Sequence, residues 1–173
     1  MRSYTHANRG SLLESMLDRT NTQYRNANIA DVRKVPTPLQ VIKDKGRTVE
    51  ARKEKAQWVD YVGVYQGAAI AFDAKQVKAK SLPLTNITID QYEFLKSWAI
   101  QGAITFLIVM FTIPGQNEPQ VYALPFNVLR EFWEQKENGR KSIPLKVFDE
   151  AAIKIQTKDG FVLHYAAAIE DLA

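Results

Sequence analysis

The chain has 173 residues and a formal net charge of +4, long enough to bury a core without covalent staples and suited to one domain spanning residues 1–173. It has no cysteine and only two histidines, His6 and His164, which excludes a disulfide scaffold or thiolate zinc site and makes a histidine-rich metal centre or a Ser/His/Asp triad hard to assemble. Any metal must sit on carboxylates, and the most apolar run, Ala103 to Phe111, is too short to cross a bilayer.

Met1 to Gly10 is polar and lacks the apolar core of a signal peptide, so a soluble, cytoplasmic protein is expected. Ser11-Leu12-Leu13-Glu14 has the form of a capping box, and Leu13, Met16, Leu17 and Tyr24 follow at helical spacing, which predicts a helix over Ser11 to Asn26. Ile29 to Val35 reads as extended and is stopped by Pro36-Thr37-Pro38. From Arg33 to Lys55 the chain gathers Arg33, Lys34, Lys43, Lys45, Arg47, Arg52, Lys53 and Lys55 against Asp44, Glu50 and Glu54. That run is a candidate phosphate-contacting surface, although on charge alone an ordinary solvated face explains it equally well. Its alternating charges and lack of a long apolar stripe predict an exposed excursion ending near Trp58.

Val59 to Val64 and Ala68 to Ala74 are β-prone runs around Tyr65-Gln66-Gly67 and read as a hairpin. Asn86 or Thr88 caps a helix running to about Gln101, with Tyr92, Leu95 and Trp98/Ala99 on one face and Gly102 at its end. Ala103 to Phe111 has the continuous apolar character of a central strand buried on both faces. A strand over Gln120 to Leu124, a helix over Phe126 to Asn138 ended by Gly139, a strand over Val162 to Tyr165 and a short terminal helix complete a mixed α/β order with no internal repeat or dividing linker.

The chemistry gathers on the hairpin. Asp60 opens its first strand and Asp73-Ala74-Lys75 closes its second; alternate residues share a strand face, so Asp73 and Lys75 project together. Cross-strand pairing can bring Asp60 to them. Phosphodiester hydrolysis needs charge neutralisation and a nucleophile, and a hard cation on carboxylate oxygens serves both. Lys75 could hold the attacking water or stabilise transition-state charge, and sequence does not separate these roles. Surface turn residues with a lysine partner would give the same spacing, but Ile70-Ala71-Phe72 commits the second strand to the core, where a charged pair invites a cation. Glu14 reads as a helix cap or a third carboxylate, and Gln91 as a solvated helix residue or a water and phosphate ligand. Arg9, Arg140 and Lys141 read as phosphate contacts or as ordinary terminus and turn residues.

Asn8-Arg9-Gly10 with Leu13-Glu14, Pro36-Thr37-Pro38, Asp60-Tyr61-x-Gly63, Phe72-Asp73-Ala74-Lys75, Phe132-Trp133 and Lys136-Glu137-Asn138-Gly139-Arg140-Lys141-Ser142-Ile143 occur in the order found in the RecU family of Holliday junction resolvases, which the chain resembles along almost its whole length. The resemblance implies a restriction-endonuclease-like PD-(D/E)xK core, a mixed central β-sheet flanked by helices, with a protruding basic stalk over about residues 36–58. It also implies a homodimer that cuts four-way DNA junctions symmetrically with magnesium; manganese accepts the same ligands. Asp60 and Asp73 then fall on metal positions, Lys75 on a catalytic position, and Glu14 and Gln91 on supporting ones. Arg9, Lys43, Lys45, Arg47, Arg52, Lys53, Lys55, Arg140 and Lys141 become the expected DNA contacts. Recombinase or branch-migration proteins are further implied partners, in a nucleoid-associated setting. The family usually has glutamate at the position of Asp73 and threonine at that of Val59, and its stalk is longer. A nuclease for flaps or forks, and a DNA-binding recombination modulator that has lost the reaction, are the alternatives.

Overall fold

The computed structural model describes residues 11–55 and 57–172. Helix α1 (Ser11–Asn26) has the predicted bounds and buries Leu13, Leu17, Thr20, Asn21 and Tyr24 along one face. Arg9, the Asn8-Arg9-Gly10 motif and the Ser11 side chain of the expected cap lie outside the described part. The chain continues through β1 (Ala30–Lys34), the hairpin β2 (Leu39–Asp44) and β3 (Val49–Lys53), and a second hairpin, β4 (Tyr61–Tyr65) and β5 (Ala68–Val77). A short β6 (Ser81–Pro83) leads through one 3-10 turn to α2 (Ile89–Ile100), β7 (Ile104–Phe111), β8 (Gln120–Pro125) and α3 (Phe126–Glu134). The chain closes with β9 (Ser142–Pro144), α4 (Leu145–Ala151), β10 (Ile153–Ile155) and α5 (Ala166–Leu172).

Six strands form one mixed sheet in the order β1-β4-β5-β7-β8-β10, in which only β5 and β7 run parallel. Strand β7 is central, and its alternation explains why it is apolar throughout: Phe106, Ile108 and Met110 face α1 and α5, while Leu107, Val109 and Phe111 face α2, α3 and α4. This is the mixed sheet flanked by helices that the resemblance implies. Gly102, with φ +86, ends α2 as expected.

The hairpin β4–β5 turns on two residues, Gln66 and Gly67, both with positive φ, so Tyr65 pairs directly with Ala68. Its ladder ends at the Tyr61–Phe72 pair, whereas β5 continues beside β7 as far as Val77. One flank of β5 is therefore bare of strand from Asp73 onward. The residues expected to do chemistry lie on that stretch.

The expected excursion is the β2–β3 hairpin, exposed along its whole length. Its register places Leu39, Val41, Val49 and Ala51 on one face, with Asp44 and Lys53 at its two ends, and Gln40, Lys43, Glu50 and Arg52 on the other. The apolar stripe missing from a continuous reading is thus assembled across two strands.

Two expectations fail. No strand forms over Val162–Tyr165: Leu163 and Tyr165 are buried, but the backbone N–H groups of Val162, Leu163 and Ala166 donate to Gln23 Oε1, Thr20 Oγ1 and Tyr24 OH of α1. Side chains of a helix take the place of a neighbouring strand. Helix α3 also stops at Glu134, four residues early, because the polar run that follows has no apolar side to bury and turns through shorter bonds from Lys136 to Trp133 and from Asn138 to Gln135. Among the described residues no helix is long and apolar enough to cross a membrane.

Candidate active site

Asp73 and Lys75 leave β5 on the α2 side of the sheet, the face also taken by Ala71. Asp73 is completely buried. Continuation of the β4–β5 register would set Asp60 opposite Asp73, but the chain bends there, and the Asp60 side chain supplies the bond that a strand would have made: Oδ2 accepts from the Ala74 N–H at 3.0 Å. The Asp60 carbonyl accepts from Val35 N–H at 2.8 Å, which fixes the bend to the end of β1.

Lys75 Nζ lies 2.5 Å from Asp73 Oδ2 and donates to Gln91 Oε1 at 3.3 Å. Gln91 Nε2 donates to Asp73 Oδ1 at 2.8 Å, so one amide orients both charged groups. The same Gln91 completes a capping box: its Oε1 accepts from Thr88 N–H at 3.0 Å, and its own N–H donates to Thr88 Oγ1 at 3.2 Å. Thr88 is thus the cap, as one of the two expected residues, and the helix start is locked to the active site.

Burial pushes the Asp73 carboxyl up to about 7, Lys75 pulls it down, and the neighbouring Asp60 raises it again. Asp73 Oδ2 is fully covered, and its close contact with Lys75 lacks hydrogen-bond geometry. A buried, donor-poor carboxylate oxygen beside a second carboxylate is a place a hard cation fits. No group of three or more histidine, cysteine or carboxylate side chains that could hold a metal occurs among the described residues; the carboxylates that meet at this flank of β5 are the two of Asp60 and Asp73.

Glu14 is elsewhere. It projects from α1, on the opposite side of the sheet from Asp73, and pairs with Lys34 Nζ at 2.7 Å. That pairing, opposed by partial burial and helped by Asp18 and Asp60, raises Lys34 above the ordinary lysine range. Tyr61 OH donates to Asp18 Oδ1 at 3.0 Å. In the sequence Lys34 is only one more cation of the basic run and Asp18 carries no signal; the register of β1 against β4 is what brings Lys34 beside Tyr61.

Of the expected DNA contacts, Lys43, Lys45, Arg47, Arg52 and Lys53 lie on the exposed hairpin; Lys45 pairs with Glu50 at 3.3 Å and Arg52 donates to Gln40 at 2.6 Å. Lys55 pairs with Asp90 in the first turn of α2 at 2.5 Å. Arg140 and Lys141 lie between α3 and β9, where the Lys141 ammonium donates to the carbonyls of Lys136 and Glu137. Neither joins the aspartates.

Residues 8–171 match the family model described as Recombination protein U. Similar proteins named Holliday junction resolvase RecU include those of Pediococcus pentosaceus, 34% identical over 96% of this chain and 85% of that protein, and Bacillus cytotoxicus, 38% identical over 87% and 77%. The protein of that name from Bacillus subtilis is 35% identical over 99% of this chain and 84% of its own length. The solved structure of Hjc, a Holliday junction resolvase from Archaeoglobus fulgidus, aligns with a TM-score of 0.48 and 16% identity over 82% of this chain and 94% of that one. A family match from residue 8 to residue 171, joined by relatives more than one-third identical along most of the chain, shows that this sequence belongs to the RecU family.

Proposed function

We propose that the chain is a Holliday junction resolving endonuclease, a magnesium-dependent hydrolase whose active site is Asp60, Asp73, Lys75 and Gln91. The observation that carries this reading is the wholly buried Asp73 carboxylate, held at an open strand flank with Asp60 on one side and Lys75 on the other. Family membership, and the name shared by the relatives, supply the substrate: four-way branched DNA.

Asp60 and Asp73 would hold magnesium, or manganese through the same oxygens, and the bound ion supplies charge neutralisation at the phosphate and acidifies a water. Asp73 must give up its proton for this, and Lys75 and Gln91 stabilise its anion. Lys75, only 16% exposed, keeps its charge aimed at the site and faces the negative charge that builds on the phosphate. Hydrolysis forms a bond from water oxygen to phosphorus and breaks the bond to O3′, leaving a 5′-phosphate and a 3′-hydroxyl. Glu14, screened by Lys34, supports the α1 side of the site and is not a metal ligand in this reading.

The exposed β2–β3 hairpin serves as the stalk of a single nuclease domain, and its cations Lys43, Lys45, Arg47, Arg52 and Lys53 meet the crowded phosphates where four arms converge. Arg9 and Arg140 are further phosphate contacts. A two-fold homodimer would address two symmetry-related strands with two sites. A recombinase or branch-migration protein would act on the same junction in the cytoplasm, at the nucleoid. Cleavage of a synthetic four-way junction, beside flap and linear duplex controls in magnesium, tests the reading. Cutting confined to the junction and lost in Asp73→Asn is expected; tight junction binding without cutting would favour a non-catalytic modulator.

A further inference from the structure

Helix α2 carries Asp90, Phe94 and Trp98 at four-residue spacing, one stripe along its length. The return leg of the basic hairpin runs against that stripe. Lys55 Nζ is 2.5 Å from Asp90 Oδ2, Trp58 packs on Phe94 with ring centroids 5.1 Å apart, and Phe94 stacks on Trp98 at 4.9 Å. The pair is asymmetric: the Asp90 side chain is only 25% exposed, while Lys55 reaches it from a side chain 70% exposed. Asp90 Oδ2 is covered and meets no hydrogen-bond donor in good geometry, so Lys55 is what offsets its charge. Asp90 is also the residue next to Gln91, whose amide orients Asp73 and Lys75.

We propose that Lys55 and Asp90 form a latch that fixes the base of the hairpin to the first turn of α2, so that loading of DNA on the hairpin sets the position of Gln91. This rests on the resolvase reading above. Asp90 touches neither substrate nor the reacting atoms; it is a positioning residue that acts through its neighbour. Lys55 is correspondingly a structural cation and not one more phosphate contact. Two contacts on one stripe make the coupling stiff: an exposed ion pair alone holds little, but here an aromatic pair one helical turn away fixes the same leg of chain. A small rotation of the first turn would shift the Gln91 amide relative to both Asp73 and Lys75, and active-site geometry tolerates such shifts poorly.

The test compares wild type with Lys55→Ala, Asp90→Asn, the two combined, and the reversed pair Lys55→Asp with Asp90→Lys. Single-turnover cleavage of a four-way junction at saturating protein, junction affinity and the Trp58 indole signal in a nitrogen-proton correlation spectrum are read for each. Each single variant should cut about tenfold more slowly with affinity changed less than about threefold, the combination should cut no more slowly than either, and the reversed pair should recover most of the rate. The Trp58 indole signal should move in the single variants and return in the reversed pair while that of Trp133 stays, which also shows that the variants are folded. Weaker binding at an unchanged cleavage rate in Lys55→Ala, additive losses, or an unmoved Trp58 signal would each overturn the latch. If the wild type cuts no junction, the resolvase reading falls, and the Trp58 signal alone decides whether the latch exists.

Discussion

Asp73 is the residue at which folding and chemistry oppose each other. Burial favours its protonated form and holds the carboxyl up to about 7, whereas a cation site needs the anion. Because the folded value lies above that of an unfolded aspartate, the folded state binds the proton more tightly, and stability without metal is lost as pH rises from about 4 to about 7. The slope is at most about 1.4 kcal/mol per pH unit, and thermal melting of the metal-free protein across that range should show it. In Asp73→Asn the slope should flatten, and, with Asp73 as the proposed cation ligand, cleavage should fall about a thousandfold or more. Thr88 gives a milder prediction. Removing its hydroxyl takes the acceptor from the Gln91 N–H, so Thr88→Ala should cost about 1 kcal/mol in a denaturant melt and slow cleavage without abolishing it. The Asp60, Asp73 and Lys75 set was legible because strand alternation and hairpin pairing follow directly from residue order. Gln91 was only half legible: Thr88-x-x-Gln91 announces a cap, but not that the same amide reaches Asp73 and Lys75 from another element. The pairing of Glu14 was not legible because its partner, Lys34, comes to it through the packing of α1 against β1, which no local pattern encodes.

The hairpin β4–β5 explains the Gly63 in the Asp60-Tyr61-x-Gly63 motif. A Cβ there would lie 2.3 Å from the Asp31 carbonyl oxygen and 2.6 Å from Val32 Cα, both backbone atoms of β1 that have nowhere to move. Gly63→Ala should therefore destabilise the protein by about 3 kcal/mol and, by loosening β1 from β4, also disturb the Asp60 bend; a chemical melt together with the junction assay would show both. The long elements were legible for different reasons: α1 repeats an apolar stripe along its length, β7 is apolar throughout, and α2 is marked by its cap at Thr88 and by Gly102 at its end. Strands β6, β9 and β10 have three residues each, too few for a period to emerge, and they exist because partners elsewhere in the chain pair with them. The alternation at Val162–Tyr165 is genuine in its burial, yet α1 side chains satisfy that backbone, so a pattern of side chains alone could not reveal that no strand forms.

Across the whole molecule, a modest net charge conceals a concentrated one. Lys43, Arg47 and Lys53 make no salt bridge among the described residues and lie on a hairpin exposed from end to end, whereas Asp73 is buried. Changing these three to glutamine should weaken junction binding, lower the salt dependence of log affinity by about one unit for each phosphate no longer neutralised, and leave the melting temperature nearly unchanged. The Lys55–Asp90 and Trp58–Phe94 contacts tie the base of the hairpin to α2. Its projection was legible from composition, but its docking on α2 depends on residues 55 and 58 meeting residues 90 and 94, which come together only in the fold. In the proposed two-fold dimer, two copies of the Asp60, Asp73 and Lys75 site should cut branched DNA in pairs. Mapping the nicks on an immobile four-way junction, in magnesium under single turnover, tests this most directly: paired nicks at symmetry-related positions on two strands, absent in Asp73→Asn, are predicted, and nicks falling equally on linear duplex, or surviving in the variant, would contradict it.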